Sequence, residues 1–103
     1  MAVKDLRVRG TQIHYAIGGT GKNIIVVHGA GSNHTTWLNS IDYLTHARWI
    51  ALDARGHGRS GGKPDINATA TDILAIADRE KMRTFVIAGI CLGGTVALEV
   101  ARI

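Results

Sequence analysis

A single cysteine, Cys91, excludes an internal disulfide and any cysteine-based zinc site, leaving a small core residue or a reactive thiol. Only one proline, Pro64, interrupts the chain. Apolar runs stop after a few residues, far short of the ~18 needed for a membrane span, and the first residues lack the apolar segment of a signal peptide, so a cytoplasmic location without membrane contact is expected. Aromatics are scarce, with two Trp, two Tyr and one Phe. Although the formal net charge is +4, the basic residues are scattered rather than clustered, which argues for a solvated surface and against nucleic-acid binding.

The 103 residues are 46% hydrophobic, enough for one small core and too few for two domains. Val3, Asp5, Arg7 and Arg9 alternate with Lys4, Leu6 and Val8, and Gln12 and His14 with Ile13, Tyr15 and Ile17. This alternation predicts strands over 3–9 and 11–17 joined near Gly10 as an antiparallel hairpin at a sheet edge. Residues 18–21 read as a turn. The β-branched run 24–27 and the run 49–52 have the composition of strands buried on both faces of a parallel sheet.

Between those strands, Trp37, Ile41 and Leu44 have helical spacing, with Asn33 or Thr35 as cap. A loop over 53–62 holds four glycines and is expected to be irregular, with Asp53 pairing to Arg55 to hold it. Ala70, Ile73, Leu74 and Ala77 predict a helix over 66–80, capped by Asp65 or Asn67. A strand over 85–88 leads into a turn, and 94–103 reads as helix to the last residue. Strands alternating with helices imply an α/β fold with a right-handed, mostly parallel sheet whose site lies at the carboxyl ends of its strands.

Three loops fall at such ends: His28–His34, Asp53–Gly62 and Gly89–Gly93. The last, Gly-Ile-Cys-Leu-Gly-Gly at 89–94, puts glycines two before and two after Cys91, as a very tight strand-to-helix turn requires. Val-Val-His-Gly-Ala-Gly at 26–31, Asp-Ala-Arg-Gly-His-Gly-Arg-Ser at 53–60 and this turn together resemble the oxyanion loop, the second loop and the nucleophile elbow of the α/β-hydrolase family, in its esterase-like group. The cysteine-bearing turn is also similar to that of dienelactone hydrolases.

The resemblance implies the N-terminal part of an α/β-hydrolase fold, with an antiparallel N-terminal hairpin and helices on both faces. It implies that Cys91 stands at the nucleophile position usually held by Ser, and that the backbone N–H groups of Ala30 and Leu92 donate to an oxyanion. Gly29 and Gly31 are then the loop positions bordering the substrate, and the helix N-terminus beneath Cys91 favours thiolate. Acyl transfer on a small-molecule ester or thioester follows, with no cofactor and no metal. His28 and His57 are expected to be structural, and His14, His34 and His46 show no metal-ligand spacing.

In that family the catalytic acid and histidine follow the elbow in chain order, here beyond Ile103. The chain is therefore expected to be one incomplete domain, 1–103, impaired by itself. It would complete its sheet through the strand at 84–89, by self-association or with a C-terminal segment. Two alternatives remain: a non-catalytic fragment, and a dinucleotide-binding module. For the latter, Gly29-x-Gly31 opens a helix after a strand and Asp53 ends the next strand, but His34 occupies the third glycine position.

Overall fold

A computed structural model describes residues 1–41, 43 and 45–103. Strand β1 (Ala2–Val8) turns through Arg9 and Gly10 into β2 (Thr11–Gly19). Both turn residues have positive φ, 46° and 82°, the backbone of a two-residue hairpin whose twist matches its strands. Strand β2 runs two residues past its predicted end because Gly18 and Gly19 pair with Trp49 and Arg48.

Strands β3 (Lys22–Val27), β4 (Ala47–Leu52) and β5 (Val86–Gly89) are mutually parallel, while β1 and β2 are antiparallel to their neighbours. The sheet order is β1-β2-β4-β3-β5, so β4 is the middle strand, β3 lies between β4 and β5, and β5 lies at an edge. The apolar run of β3 faces both ways: Ile25 and Val27 join one core cluster, Val26 and Ile24 the other. This two-sided burial explains why the run does not alternate in polarity.

Helix α2 (Ile66–Arg79) and helix α3 (Leu92–Arg102) cover one face, packing Ala70, Ile73, Ile76, Val96 and Val100 against β2, β3 and β4. The Asp65 carboxylate caps α2 by accepting from Ala68 N at 2.8 Å. On the other face, a 3-10 helix (His34–Trp37) and helix α1 (Leu38–Ile41) bring Trp37, Leu38 and Ile41 over Trp49 and Ala51. Asn33 is the cap, accepting from Thr35 N at 2.9 Å. Leu44 lies outside the described residues. Helix α3 starts two residues earlier than its predicted start and stops at Arg102, so Ile103 is not helical.

The loop 53–62 is irregular in shape yet firmly tied. Its anchor is Asp53, fully buried, but its partner is not Arg55 as the sequence suggested. Asp53 accepts from the backbone N–H groups of His34 (2.7 Å) and Arg59 (2.9 Å) and from the His34 imidazole (2.8 Å). Arg55 reaches instead into α2, donating to both carboxylate oxygens of buried Asp72 at 2.8 and 2.7 Å. Ser60 clips the loop shut, donating from Oγ to Asp53 O at 2.6 Å and accepting from His14 N at 2.9 Å. No helix among the described residues is long and apolar enough to cross a membrane.

Candidate active site

The chain leaves β5 at Gly89 and enters α3 at Leu92, with only Ile90 and Cys91 between. So short a connection forces the backbones of strand and helix together. A Cβ on Gly93 would sit 2.3 Å from Val27 O and 2.7 Å from His28 O, so only glycine lets α3 pass over the end of β3. Cys91 absorbs the turn: it is the N-cap of α3 with φ 53° and ψ −115°, a conformation that non-glycine residues adopt at a cost of about 1–3 kcal/mol. Its side chain is exposed, and no described residue hydrogen-bonds its thiol.

Gly93 N donates to Ile90 O at 2.8 Å and Gly94 N to Cys91 O at 2.9 Å, whereas Leu92 N has no acceptor among the described residues. Ala30 N is likewise without one. The loop carrying Ala30 lies against the elbow: a Cβ on Gly29 would be 3.4 Å from Ile90 O and 3.7 Å from the Cys91 Cβ. Gly31 follows with φ 75° and open space around it. Of the five positions singled out in the sequence, Gly29, Ala30 and Gly31 thus lie on the loop after β3, and Cys91 and Leu92 at the junction of β5 and α3, with Gly29 against that junction.

His28 is committed elsewhere. Its Nε2 accepts from Ala54 N at 2.9 Å and its Nδ1 donates to Gly29 O at 2.7 Å, so both ring nitrogens serve to fix loops. Burial pushes its imidazole below the ordinary range, against the opposing pull of the Gly29 carbonyl. His57 packs beside it with ring centroids 5.1 Å apart and its Nδ1 3.2 Å from Arg55 O. Asp53 is not free to hold a ribose, because its two carboxylate oxygens already accept from the His34 and Arg59 donors named above. Although burial alone would raise its carboxyl, the Arg59 and His34 backbone donors and the His34 ring hold it below the usual range.

A cavity of about 310 Å³, lined by Val27, His28, Ala54, His57, Leu92 and Val96, was not foreseen from the residues alone. Pro64 and the start of α2 close its far side. Its walls come from β3, the loop 53–65, α2 and α3, a meeting of distant segments with no local signature. Leu92 connects it to the elbow.

Three adjacent parallel strands, helices on both faces and a strained residue between glycines at a strand–helix junction define an α/β-hydrolase scaffold. The family model described as "Alpha/beta hydrolase family" matches residues 24–103, and the chain belongs to that family. Its relatives include "Putative carbamate hydrolase RutD" of Rhizobium rhizogenes, 37% identical over 98 residues that cover 86% of this chain and 37% of the relative. A non-heme haloperoxidase of Rhodococcus erythropolis is 36% identical over 99 residues, covering 90% of this chain and 36% of its own. Among solved structures, the bottromycin epimerase BotH in complex with bottromycin A2 superposes with a TM-score of 0.90 at 30% identity, covering 100% of this chain and 44% of that one. The chain thus spans well under half the length of these relatives.

Proposed function

We propose that this chain carries the nucleophile and oxyanion half of an acyl-transfer site, with Cys91 attacking the carbonyl carbon of a small ester or thioester. The observation that carries the reading is the exposed Cys91 at φ 53° on the N-terminus of α3, with the loop of Gly29 against it and with the Ala30 and Leu92 N–H groups lacking acceptors among the described residues. In the reaction the thiolate sulfur bonds to the carbonyl carbon and the carbonyl oxygen becomes an oxyanion received by those N–H groups. The carbon–oxygen or carbon–sulfur bond to the leaving group then breaks, and the leaving group takes a proton from solvent. Water later hydrolyses the resulting thioester and restores the thiol. Gly29 and Gly31 border the approach, and the cavity reached past Leu92 gives room for an apolar part of the substrate.

No cofactor enters this scheme. A thiol is a competent nucleophile with less help than a hydroxyl needs, but no described residue orients or deprotonates it. Acylation is therefore expected to outrun deacylation in the chain by itself. The relatives' names span a carbamate hydrolase, a haloperoxidase and an epimerase, so the family leaves the substrate open; the carbonyl preference rests on the elbow. A cytoplasmic location belongs to the same proposal.

The test is exposure to an activated ester followed by intact-mass and peptide mass spectrometry. One acyl group on Cys91, absent from Cys91→Ala, is expected. No adduct, or an adduct that persists in Cys91→Ala, would overturn the assignment.

A second reading concerns the edge of the sheet. Among the described residues β5 pairs only with β3, and Val86 on it is 63% exposed. An open parallel edge of this kind recruits another strand, so association through residues 84–89, with a second copy or a C-terminal segment, is the proposed partner interaction. Light scattering that finds a monodisperse monomer of the chain would remove self-association.

A further inference from the structure

Three carboxylates are buried, and two of them have basic partners. Asp72 is bound by Arg55, and Glu80 by Lys4 at 3.1 Å and Arg48 at 3.2 Å. Asp53 has neither lysine nor arginine against it among the described residues; its donors are two backbone N–H groups and the His34 ring. A buried carboxylate with no Lys or Arg side chain beside it is an attractor for a cation.

Two imidazoles stand at that carboxylate. Strand β2 places His14 next to Asp53, whose N donates to His14 O at 2.8 Å. The loop after β3 carries His34 to the same point, its ring meeting that of His14 edge-on with centroids 5.4 Å apart. One nitrogen of each histidine and an oxygen of Asp53 all lie within 4.8 Å of one another. Asp5 on β1 accepts from His14 Nδ1 at 2.9 Å, which leaves Nε2 with the lone pair. A carboxylate holding one imidazole nitrogen so that the other faces an ion is a recurrent support of metal-ligating histidines. The three residues line a pocket of about 420 Å³ that also touches Asn33, Thr35 and Arg59.

We propose that His14, His34 and Asp53 form a binding site for a divalent transition-metal ion of the zinc type, with water from the pocket completing its shell. Two imidazoles and one carboxylate are a donor set suited to such an ion. Tetrahedral ligands at ~2.0–2.1 Å stand about 3.3 Å apart, so the three donors draw together around it. On binding, His34 changes tautomer: its Nδ1 proton, now shared with Asp53, is lost to solvent and one is taken up at Nε2, so that the Nδ1 lone pair and the freed Asp53 oxygen both turn to the ion. The site lies on the face covered by α1, served by residues that the acyl-transfer scheme does not use.

The experiment uses the tag-free chain with Cys91→Ala, which removes the exposed thiol as a competing ligand. Zn²⁺ is followed by equilibrium dialysis and Co²⁺ by visible absorption. One ion per chain is expected, with His14→Ala and His34→Ala losing at least about 100-fold in affinity and His46→Ala unchanged. Asp5→Asn, which touches no ion, is expected to lose roughly 10–100-fold. Failure of the parent chain to take up Zn²⁺ at millimolar concentration, or uptake that neither histidine variant reduces, would overturn the site. Should the histidine variants not fold, an Asp5→Asn chain that binds as tightly as its parent, or Co²⁺ added to the parent without new visible bands, would overturn it as well.

Discussion

A Cβ built on Gly89 would stand 2.1 Å from the carbonyl oxygen of Gly93 and 2.2 Å from its carbonyl carbon. The last residue of β5 and the first turn of α3 therefore touch backbone to backbone. No rotamer change can relieve that overlap, because neither side has a side chain to move. Gly89→Ala and Gly93→Ala are each expected to cost about 3 kcal/mol or more in denaturant unfolding. Gly94→Ala makes the control: the nearest atom to its Cβ is Gly89 O at 3.7 Å, and replacing a helical glycine should gain roughly 0.5–1 kcal/mol.

The pairing of Arg55 with Asp72 gives a second expectation. Removing one member of a buried ion pair leaves the other charge uncompensated, at a cost of about 3–5 kcal/mol. Arg55→Ala should show that loss in chemical unfolding. Arg55→Lys should recover only part of it, since one ammonium cannot meet both oxygens of Asp72 as the guanidinium does.

Stability should fall on acidification in two stages. Burial depresses the His28 imidazole in the folded state, so the unfolded chain takes up that proton first. Stability is full above the unfolded value of ~6.5 and declines as pH drops below it. Asp53 and Glu80 are both held below the usual carboxylate range by hydrogen bonds that outweigh burial. Their contribution is present above ~4 and is lost as pH falls through their folded values. Unfolding free energies measured across pH should show both stages, with His28→Gln abolishing the upper one and sparing the lower.

Gly29→Ala separates folding from reactivity. Its Cβ would meet Ile90 O at 3.4 Å and the Cys91 Cβ at 3.7 Å, ordinary contact that the fold tolerates. Its methyl group would nonetheless crowd the approach to the thiol. Unfolding should shift by less than about 1 kcal/mol, while the rate of Cys91 acylation, followed by mass spectrometry, should fall severalfold.

Local patterns made much of this legible. The alternation across residues 3–17 declares a hairpin, and the apolar run at 24–27 an interior strand, because burial on one face or on both imposes those periods directly. Asp65 announces the start of α2 through its capping chemistry. The glycines at 89 and 93 announce the elbow, since a turn that tight excludes side chains there. Less legible was the loop 53–62: proximity in sequence suggested Asp53 with Arg55, yet partners from other elements take each of them. Asp53 turns inward to the His34 and Arg59 backbone, while Arg55 reaches across to α2.

The sequence by itself determined the order of elements, the family and the residue at the tip of the elbow, because each depends on residue types at short fixed spacings. Only the tertiary structure decided which distant groups meet. It laid Gly29 against the elbow, took both nitrogens of His28 for the loops, opened the cavity behind Leu92 and gathered His14, His34 and Asp53 from three separate elements. Such meetings follow from strand register and from how loops pack at the sheet's carboxyl end, and no local pattern of residues encodes them.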